Sequence, residues 1–205
     1  MTKETCAVIL AGGKSSRMGR DKALIDVAGR PLIRVLADRL LSLTRNVFIS
    51  ANADSVYRFL NLPVIPDLYS EQGPLAGIHA VMRTFDAEFY ITLACDLPHA
   101  SAALFSAMLD AAEGFDAVIP LSSNGRAHPL CAVYRATCLS VIEDALQKGA
   151  NKTIDVFSES VLRTRWFHPE EGFFRETELA NINTQEDLQR LRLTGSQGAE
   201  PYRIE

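Results

Sequence analysis

The sequence has few of the features that mark secreted, membrane or metal-framework proteins. Its four cysteines, Cys6, Cys95, Cys131 and Cys138, are far apart, with no C-x-x-C pair and no histidine at ligand spacing. We therefore expect reduced thiols, with Cys6 and Cys95 as small core residues, and no disulfide framework or zinc site. No apolar run reaches the length of a membrane span, and no signal-peptide core stands at the N-terminus, which predicts a cytoplasmic protein.

An excess of positive charge is also missing. The formal net charge of the 205 residues is −4, which argues against nucleic acid as the main partner. A hydrophobic content of 47% and a charged content of 22% are ordinary for a globular protein. The length allows one sizeable domain. The end of the chain is rich in glycine, serine and polar residues, so we expect a domain over residues 1–193 and a flexible tail over residues 194–205.

The most informative segment runs from Ala7 to Lys22 and reads AVILAGGKSSRMGRDK. An apolar run broken by a glycine pair is typical of a buried strand that enters a tight turn. Gly12 and Gly13 let backbone N–H groups approach a ligand closely, because no Cβ intervenes. Four cations follow within nine residues: Lys14, Arg17, Arg20 and Lys22. The pattern predicts a triphosphate-binding loop, and an ordinary basic β–α turn is the alternative.

Two well-known phosphate loops do not fit this segment. The P-loop needs G-x-x-x-x-G-K-[ST]; Gly13, Lys14 and Ser15 supply its second half, but Val8 stands where its first glycine belongs. The dinucleotide fingerprint needs G-x-G-x-x-G, whereas the glycines here are adjacent and Ser16 occupies the last position. The loop must therefore be of another kind.

Apolar runs and helical stripes alternate along the chain. Strands are predicted at Ala7–Leu10, Asn46–Ser50, Leu62–Pro66, Glu88–Ala94, Ala117–Pro120, Pro129–Tyr134 and Val161–Phe167. Helices are predicted at Pro31–Thr44, Asp54–Leu60, Leu75–Thr84, Ser101–Ala112, Thr137–Lys148 and Lys152–Ser158, with a last one capped by Thr184. This order predicts an α/β, single-domain, Rossmann-like fold with a mostly parallel sheet and helices on both faces.

Polar groups follow four of the predicted strands. These are the glycine loop, the segment Ser50 to Asn52, Asp67 and Asp96. Ligands of open parallel sheets bind outside the carboxyl ends of the strands, so all four would lie on one rim. Each alone is explained as well by a turn or a helix cap. Their joint placement favours a binding site.

Asp96 follows a wholly apolar strand and is the strongest candidate for a Mg²⁺ ligand. Magnesium is usually held by one or two carboxylates together with substrate phosphates. The alternative is an N-cap or turn carboxylate. Asp67 also follows a predicted strand, and a simple turn carboxylate is the alternative there.

In the segment Gly73 to Gly77, GPLAG, the glycine and proline at its start stand just before the predicted helix Leu75–Thr84. A flexible hinge and a proline with fixed φ would present free N–H groups to the edge of a base. The plain alternative is a loop-to-helix transition with proline near the first helical position.

The stretch LAGGxSxRMGxDK, from Leu10 to Lys22, resembles the signature loop of nucleotidyltransferases that activate a phosphorylated acceptor with a nucleoside triphosphate. With its RMG-x-DK ending and the GPLAG segment, the chain is similar to the molybdenum cofactor guanylyltransferases, from about Thr5 to Leu193. The resemblance implies a nucleotide-diphospho-sugar transferase-like fold, Mg²⁺ as cofactor, and GTP and molybdopterin as substrates. It also implies contact with cofactor-insertion proteins or molybdoenzyme chaperones.

The resemblance assigns roles to individual residues. Catalysis would fall to Arg17, Lys22 and Asp96, with Asp96 as the magnesium ligand. Ser50 stands where the family leads us to expect asparagine, so the position of that amide stays open between Ser50 and Asn52. The nucleotide would contact Leu10, Ala11, Gly12, Gly13, Lys22, Ser50, Asn52, Asp67, Gly73, Pro74, Gly77 and Asp96.

In the family, H-P and N-x-N-T segments are attributed to the pterin acceptor, which points here to His128, Asn181 and Asn183. His128 is equally explained as a turn cap, and Asn183 as the residue before a helix cap. Arg126 and Lys152 are interpreted as solvated charges rather than acceptor contacts. His79, His99 and His168 receive no role.

The sequence thus predicts a Mg²⁺-dependent enzyme that transfers GMP from GTP to the phosphate of molybdopterin and releases pyrophosphate. A cytidylyltransferase for the same cofactor or a sugar-1-phosphate nucleotidyltransferase would share the loop and Asp96. A carrier module that binds nucleotide or cofactor without catalysis is the alternative of another class.

Overall fold

The computed structural model describes residues 4–11, 21–52, 54–149, 152–158, 162–184 and 186–187. Its strands are β1 (Thr5–Leu10), β2 (Asp26–Val27), β3 (Arg30–Pro31), β4 (Asn46–Ser50), β5 (Val64–Ile65), β6 (Phe89–Ala94), β7 (Ala117–Pro120), β8 (Cys131–Arg135) and β9 (Thr164–Phe167). Its α-helices are α1 (Leu32–Leu41), α2 (Asp54–Tyr57), α3 (Gly73–Thr84), α4 (Ala102–Asp110), α5 (Cys138–Gln147) and α6 (Thr153–Ser158). Short 3₁₀ turns lie at Lys22–Leu24, Arg58–Leu60, Pro169–Glu171 and Glu176–Leu179.

Seven strands form the central sheet, in the order β5-β4-β1-β6-β8-β7-β9. Strands β5, β4, β1 and β6 are parallel to one another, β9 is parallel to β7, and β8 is antiparallel to both of its neighbours. Strands β2 and β3 form a separate hairpin. The predicted mostly parallel α/β sheet is confirmed.

Both faces of the sheet are buried by helices, which explains why β1 and β6 read as continuous apolar runs. Successive side chains of β1 point to opposite faces. Ala7 and Ile9 pack in a core cluster with residues of α1 and α4, and Val8 packs in a second cluster with residues of α3 and α5. The prediction of helices on both faces is confirmed.

Several element bounds differ from the predicted ones. Strand β5 has two residues rather than five, because Pro63 and Pro66 flank it and have no N–H to donate to a ladder. Strand β8 begins at Cys131 instead of Pro129, and β9 at Thr164 instead of Val161. Helix α3 begins at Gly73, two residues earlier than predicted.

The hydrogen bonds of the predicted cap at Thr184 are present. Asp187 N donates to Thr184 Oγ1 over 3.1 Å, and Thr184 N donates to Asp187 Oδ2 over 2.8 Å. The rest of that helix and the predicted tail lie outside the described residues. Within the described part of the chain, no helix is long and apolar enough to cross a membrane. All four cysteines are free, as predicted.

Candidate active site

The carboxyl ends of β1, β4, β5 and β6 meet on one rim of the sheet. From β1 the chain builds outward to β4 and β5 and then returns to β6 on the other side of β1, so the strand order reverses at β1. Backbone hydrogen bonds continue past the strand ends: Ala11 N donates to Ser50 O over 3.0 Å, and Cys95 N donates to Leu10 O over 3.2 Å. Such a reversal point is where ligands of open α/β sheets bind.

Asp67 and Asn52 form one hydrogen-bonded unit at the ends of β4 and β5. Asn52 Nδ2 donates to Asp67 Oδ2 over 3.2 Å, and Asp67 N donates to Asn52 Oδ1 over 3.0 Å. Ser50 Oγ lies 3.4 Å from Asp67 Oδ1 and is buried, whereas Asn52 is exposed. Asn52 therefore supplies the exposed amide at this strand end, and Ser50 is the buried residue.

Gly77 is a point of close approach between α3 and the sheet. It lies inside the first turns of α3, and a Cβ at this position would stand 2.1 Å from Ser50 Oγ and 3.2 Å from Leu10 Cδ2. The expectation that Gly73 and Pro74 stand just before the helix was wrong, because α3 already contains both. The glycine lets α3 pack directly on the ends of β1 and β4.

The N-terminus of α3 lies at the same rim. Gly73 has φ of +67°, a left-handed conformation that favours glycine. Pro74 follows in the first turn, where its missing N–H leaves no helical bond unmade. The first-turn N–H groups of a helix have no intrahelical acceptor and can bind a ligand.

Asp96 is held by the segment that carries the predicted N-x-N motif. Its Oδ2 accepts a hydrogen bond from Asn181 Nδ2 over 3.0 Å, and its backbone O accepts one from Ile182 N over 2.8 Å. Asp96 is half-buried. Asn181, predicted as an acceptor residue, thus contacts the carboxylate predicted to bind the metal.

Lys22 is tied to the same segment. Its Nζ donates to Ile182 O over 2.8 Å and to Asn183 Oδ1 over 3.1 Å. Residues 181–183 therefore join Lys22 and Asp96, which follow the neighbouring strands β1 and β6 along the chain.

The oxygen donors around Asp96 suit a metal ion that takes only some of its ligands from the protein. Among the described residues, no group of three or more histidine, cysteine, aspartate or glutamate side chains is placed to hold a metal. A single half-buried carboxylate at the rim fits Mg²⁺ that takes its other ligands from phosphates and water. Asp96 is the residue that would hold it.

A pocket of about 500 Å³ opens beside Asp96. Its walls come from four segments, Asp96 and Leu97 after β6, Asn181, and the stretches 126–130 and 152–154, together with Pro74. Arg126 and Lys152 are exposed, as their interpretation as solvated charges required, but both line this pocket. The lining is mainly apolar and includes these two cations.

His128 is a buried member of that lining. Its Nε2 lies 2.7 Å from Ser122 Oγ, and its backbone N donates to Pro120 O over 3.0 Å. Burial, and then the charge of Arg126, lower the pKa of His128 below its ordinary value. The ring is neutral at neutral pH, so it contributes a hydrogen-bonding group to the pocket rather than a charge.

Cys95 lies next to Asp96 but does not have the character of a nucleophile. Burial, followed by the charge of Asp96, raises the pKa of its thiol to about 12. Reactivity belongs to the thiolate, which this environment disfavours.

Three residues of the predicted site, Gly12, Gly13 and Arg17, lie outside the described residues, as do Lys14 and Arg20. The sequence reasoning missed two others, Asp21 and Tyr57. Tyr57 OH lies 2.6 Å from Asp21 Oδ2, and Asp21 precedes Lys22 directly. In the sequence, the only signal for Asp21 is its place directly before Lys22. No local pattern links Tyr57 to these two residues.

The architecture is that of known nucleotidyltransferases. A solved structure of molybdopterin-guanine dinucleotide biosynthesis protein A from Archaeoglobus fulgidus aligns with a TM-score of 0.79 at 24% identity, over 94% of this chain and 99% of that one. The 2-C-methyl-D-erythritol 4-phosphate cytidylyltransferase of Thermus thermophilus aligns with a TM-score of 0.71 at 16% identity, over 94% and 99%. These likenesses define the fold class.

Sequence comparison identifies the family. The model for the MobA-like NTP transferase domain matches residues 7–162. A relative from Carboxydothermus hydrogenoformans is 38% identical over 89% of this chain and 92% of its own length, and one from Pelotomaculum thermopropionicum is 34% identical over 93% of each. Both are named "Probable molybdenum cofactor guanylyltransferase". The chain belongs to the MobA-like NTP transferase family.

Proposed function

We propose that the protein transfers GMP from GTP to the phosphate of molybdopterin cofactor, giving the guanine dinucleotide form and pyrophosphate. The observation that carries this proposal is the junction at residues 181–183, which ties Lys22 and Asp96 together beside a pocket. The names of the two relatives at 38% and 34% identity supply the nucleotide and the acceptor.

In this reaction the protein must position the two substrates and neutralise the negative charge of the phosphates. An oxygen of the acceptor phosphate forms a bond to the α-phosphorus of GTP. The bond between that phosphorus and the oxygen bridging to the β-phosphate breaks, and its electron pair leaves with pyrophosphate. Fixed positive groups that face the developing charge lower the barrier of such a step.

Each predicted site residue has a place in this scheme. Lys22 would neutralise the α-phosphate, and Arg17 would neutralise the departing pyrophosphate, as the family resemblance implies. Asp96 would hold Mg²⁺, which would supply further positive charge to the phosphates. The first turn of α3 and the Asn52–Asp67 unit would contact the guanosine. Asn183, which accepts a hydrogen bond from Lys22, would contact the acceptor.

The pocket beside Asp96 suits the acceptor. A volume of about 500 Å³ falls within the usual range for small-molecule and cofactor sites. Its mainly apolar walls suit a tricyclic pterin, and the exposed cations Arg126 and Lys152 in its lining suit an anionic molecule.

The test is pyrophosphate release with GTP, Mg²⁺ and molybdopterin supplied on a carrier protein, for the wild type and for Asp96→Ala. We expect release from the wild type only. Asp110→Ala is the matched control, because Asp110 is an exposed carboxylate at the end of α4. Undiminished release from Asp96→Ala would remove Asp96 from the mechanism.

Base preference is measured separately by calorimetric titration with GTP, CTP and UTP. Tighter binding of GTP than of CTP supports the guanylyltransferase. Preference for CTP would move the assignment to a cytidylyltransferase, and nucleotide binding without any pyrophosphate release would favour the carrier module.

A further inference from the structure

One tyrosine contacts both flanks of the signature loop. The hydroxyl of Tyr57, at the end of α2, lies 3.3 Å from Ala11 O and 2.6 Å from Asp21 Oδ2. Ala11 directly precedes the stretch 12–20, and Asp21 directly follows it. A single oxygen atom therefore links the two ends of that stretch.

The second oxygen of Asp21 continues the link to Lys22. Asp21 is the N-cap of the 3₁₀ turn Lys22–Leu24, and its Oδ1 accepts from Ala23 N over 3.0 Å. Ala23 is fully buried in the core cluster that also contains Tyr57. The backbone of Lys22 is thus fixed between a capped residue and a buried one.

The hydroxyl is suited to this task. Tyr57 is 3% exposed, and burial, followed by its bond to Asp21, raises its pKa well above the ordinary value. It therefore remains a protonated donor at any pH at which the protein works. Both of its partners are acceptors, and the shorter distance makes Asp21 the main one.

We propose that Tyr57 is a positioning residue that links Ala11 to Asp21, the two residues that flank the phosphate-binding stretch, and that orients Lys22 through Asp21. The proposal rests on the proposed function for the role of Lys22. Its geometry involves only Ala11, Asp21, Lys22 and Tyr57, and none of these contacts belongs to the acceptor pocket.

The chain offers a matched control in Tyr90, whose buried hydroxyl likewise makes two hydrogen bonds, both of them to backbone groups. Tyr90 OH donates to Phe85 O over 2.8 Å and accepts from Ala87 N over 3.0 Å. Tyr90 lies near the start of β6, at the opposite end of that strand from Asp96. Tyr57→Phe and Tyr90→Phe each remove one buried hydroxyl, but only the first touches the rim.

The experiment compares both variants with the wild type in urea unfolding, in steady-state kinetics and in calorimetric binding of inorganic triphosphate. We expect similar losses of stability. We expect kcat of Tyr57→Phe to fall about 10-fold, as for one lost hydrogen bond, with KM for molybdopterin unchanged and weaker triphosphate binding. Tyr90→Phe should keep wild-type kcat and triphosphate affinity.

A double variant tests the route through Asp21. If Tyr57 acts through this carboxylate, Tyr57→Phe combined with Asp21→Asn should be no slower than Asp21→Asn alone. Wild-type kcat and triphosphate affinity in Tyr57→Phe, or equal losses in Tyr90→Phe, would overturn the proposal. Triphosphate binding needs no acceptor, so this arm decides the role of Tyr57 even if molybdopterin proves to be the wrong substrate.

Discussion

The two ends of the chain hold their site residues in different ways. In the first part, residues 5–96, the polar groups follow parallel strands, and the backbone ladder provides much of their placement, as in the bond from Ala11 N to Ser50 O. In the later part, a side chain provides much of the placement, because Asn181 Nδ2 donates to Asp96 Oδ2. Backbone placement survives the loss of a side chain, whereas side-chain placement does not.

The contrast is sharpest at Lys22, where the two parts meet. Lys22→Ala should lower kcat by about 10²–10³-fold, because it removes both the cation proposed to neutralise the α-phosphate and the bonds to residues 182 and 183. The measurement is pyrophosphate release at saturating GTP. Lys148→Ala, which removes an exposed lysine after α5, should retain full activity. A fall of less than 10-fold in Lys22→Ala would contradict the role of this cation.

The backbone-placed part should be most sensitive to added volume. Gly77→Ala places a methyl group 2.1 Å from Ser50 Oγ, so we expect a loss of ~1–3 kcal/mol in the free energy of unfolding, as for overpacked cores. Urea denaturation measures this loss. Adding Ser50→Ala should restore part of it, because the nearest atom is then gone. No restoration would show that the strain lies elsewhere.

The side-chain-placed part should be sensitive to deletion. Asn181→Ala should lower kcat about 10-fold, or ~1.4 kcal/mol, because Asp96 loses a charge-assisted hydrogen bond that orients it. Asn46→Ala removes a comparable amide bond, to Thr5 O, at the far end of the sheet, and should leave kcat unchanged. Equal effects of the two variants would mean that Asn181 acts only through stability.

The smallest effect concerns pH and lies in the backbone-placed part. His79 is buried in α3, with Tyr69 edge-on at 5.1 Å and Glu143 Oε1 at 3.5 Å from its Nε2. Burial lowers the pKa of His79, so below about pH 6.5 the unfolded chain binds the proton more readily than the folded one. The stability that the neutral ring provides is complete above that pH and is lost as pH falls.

Urea unfolding at several pH values between about 5 and 8, the range in which histidine titrates, tests this sign. The stability of His79→Leu should depend less on pH than that of the wild type. A wild type that becomes more stable as the pH falls through this range would show that the charged ring is preferred, through Glu143.

The sequence predicted the backbone-placed part well, because its signals are local. Apolar runs predicted the bounds of β4, and those of β6 and β1 with one end shifted by one and two residues, and the rule for parallel sheets put Asn52, Asp67 and Asp96 on one rim. The predicted bounds of helices and strands were wrong where the local sequence signal was ambiguous. Gly73-Pro74 reads equally as the end of a loop or the first turn of a helix, and tertiary packing decided for the helix.

Pairings between distant residues were beyond the sequence. Asn181 and Asp96 are 85 positions apart, and Lys22 and Ile182 are 160 apart, so no period or motif connects them. The contact between Tyr57 and Asp21 spans 36 positions and joins two elements that local patterns treat separately. Such pairs follow only from the complete fold.

The contacts of residues 181–183 also determine when, during synthesis of the chain, Lys22 and Asp96 can become joined. A ribosome extends a chain by roughly 5–20 residues per second from the N-terminus, and the N-terminal part of a chain is free to fold first. The four parallel strands β1, β4, β5 and β6 end at residue 94, long before Ile182 is made. Lys22 and Asp96 gain their bonds to residues 181–183 only when those later residues arrive. A ribosome-bound chain that stops short of residue 181 therefore carries the four strands while Lys22 and Asp96 are still unjoined.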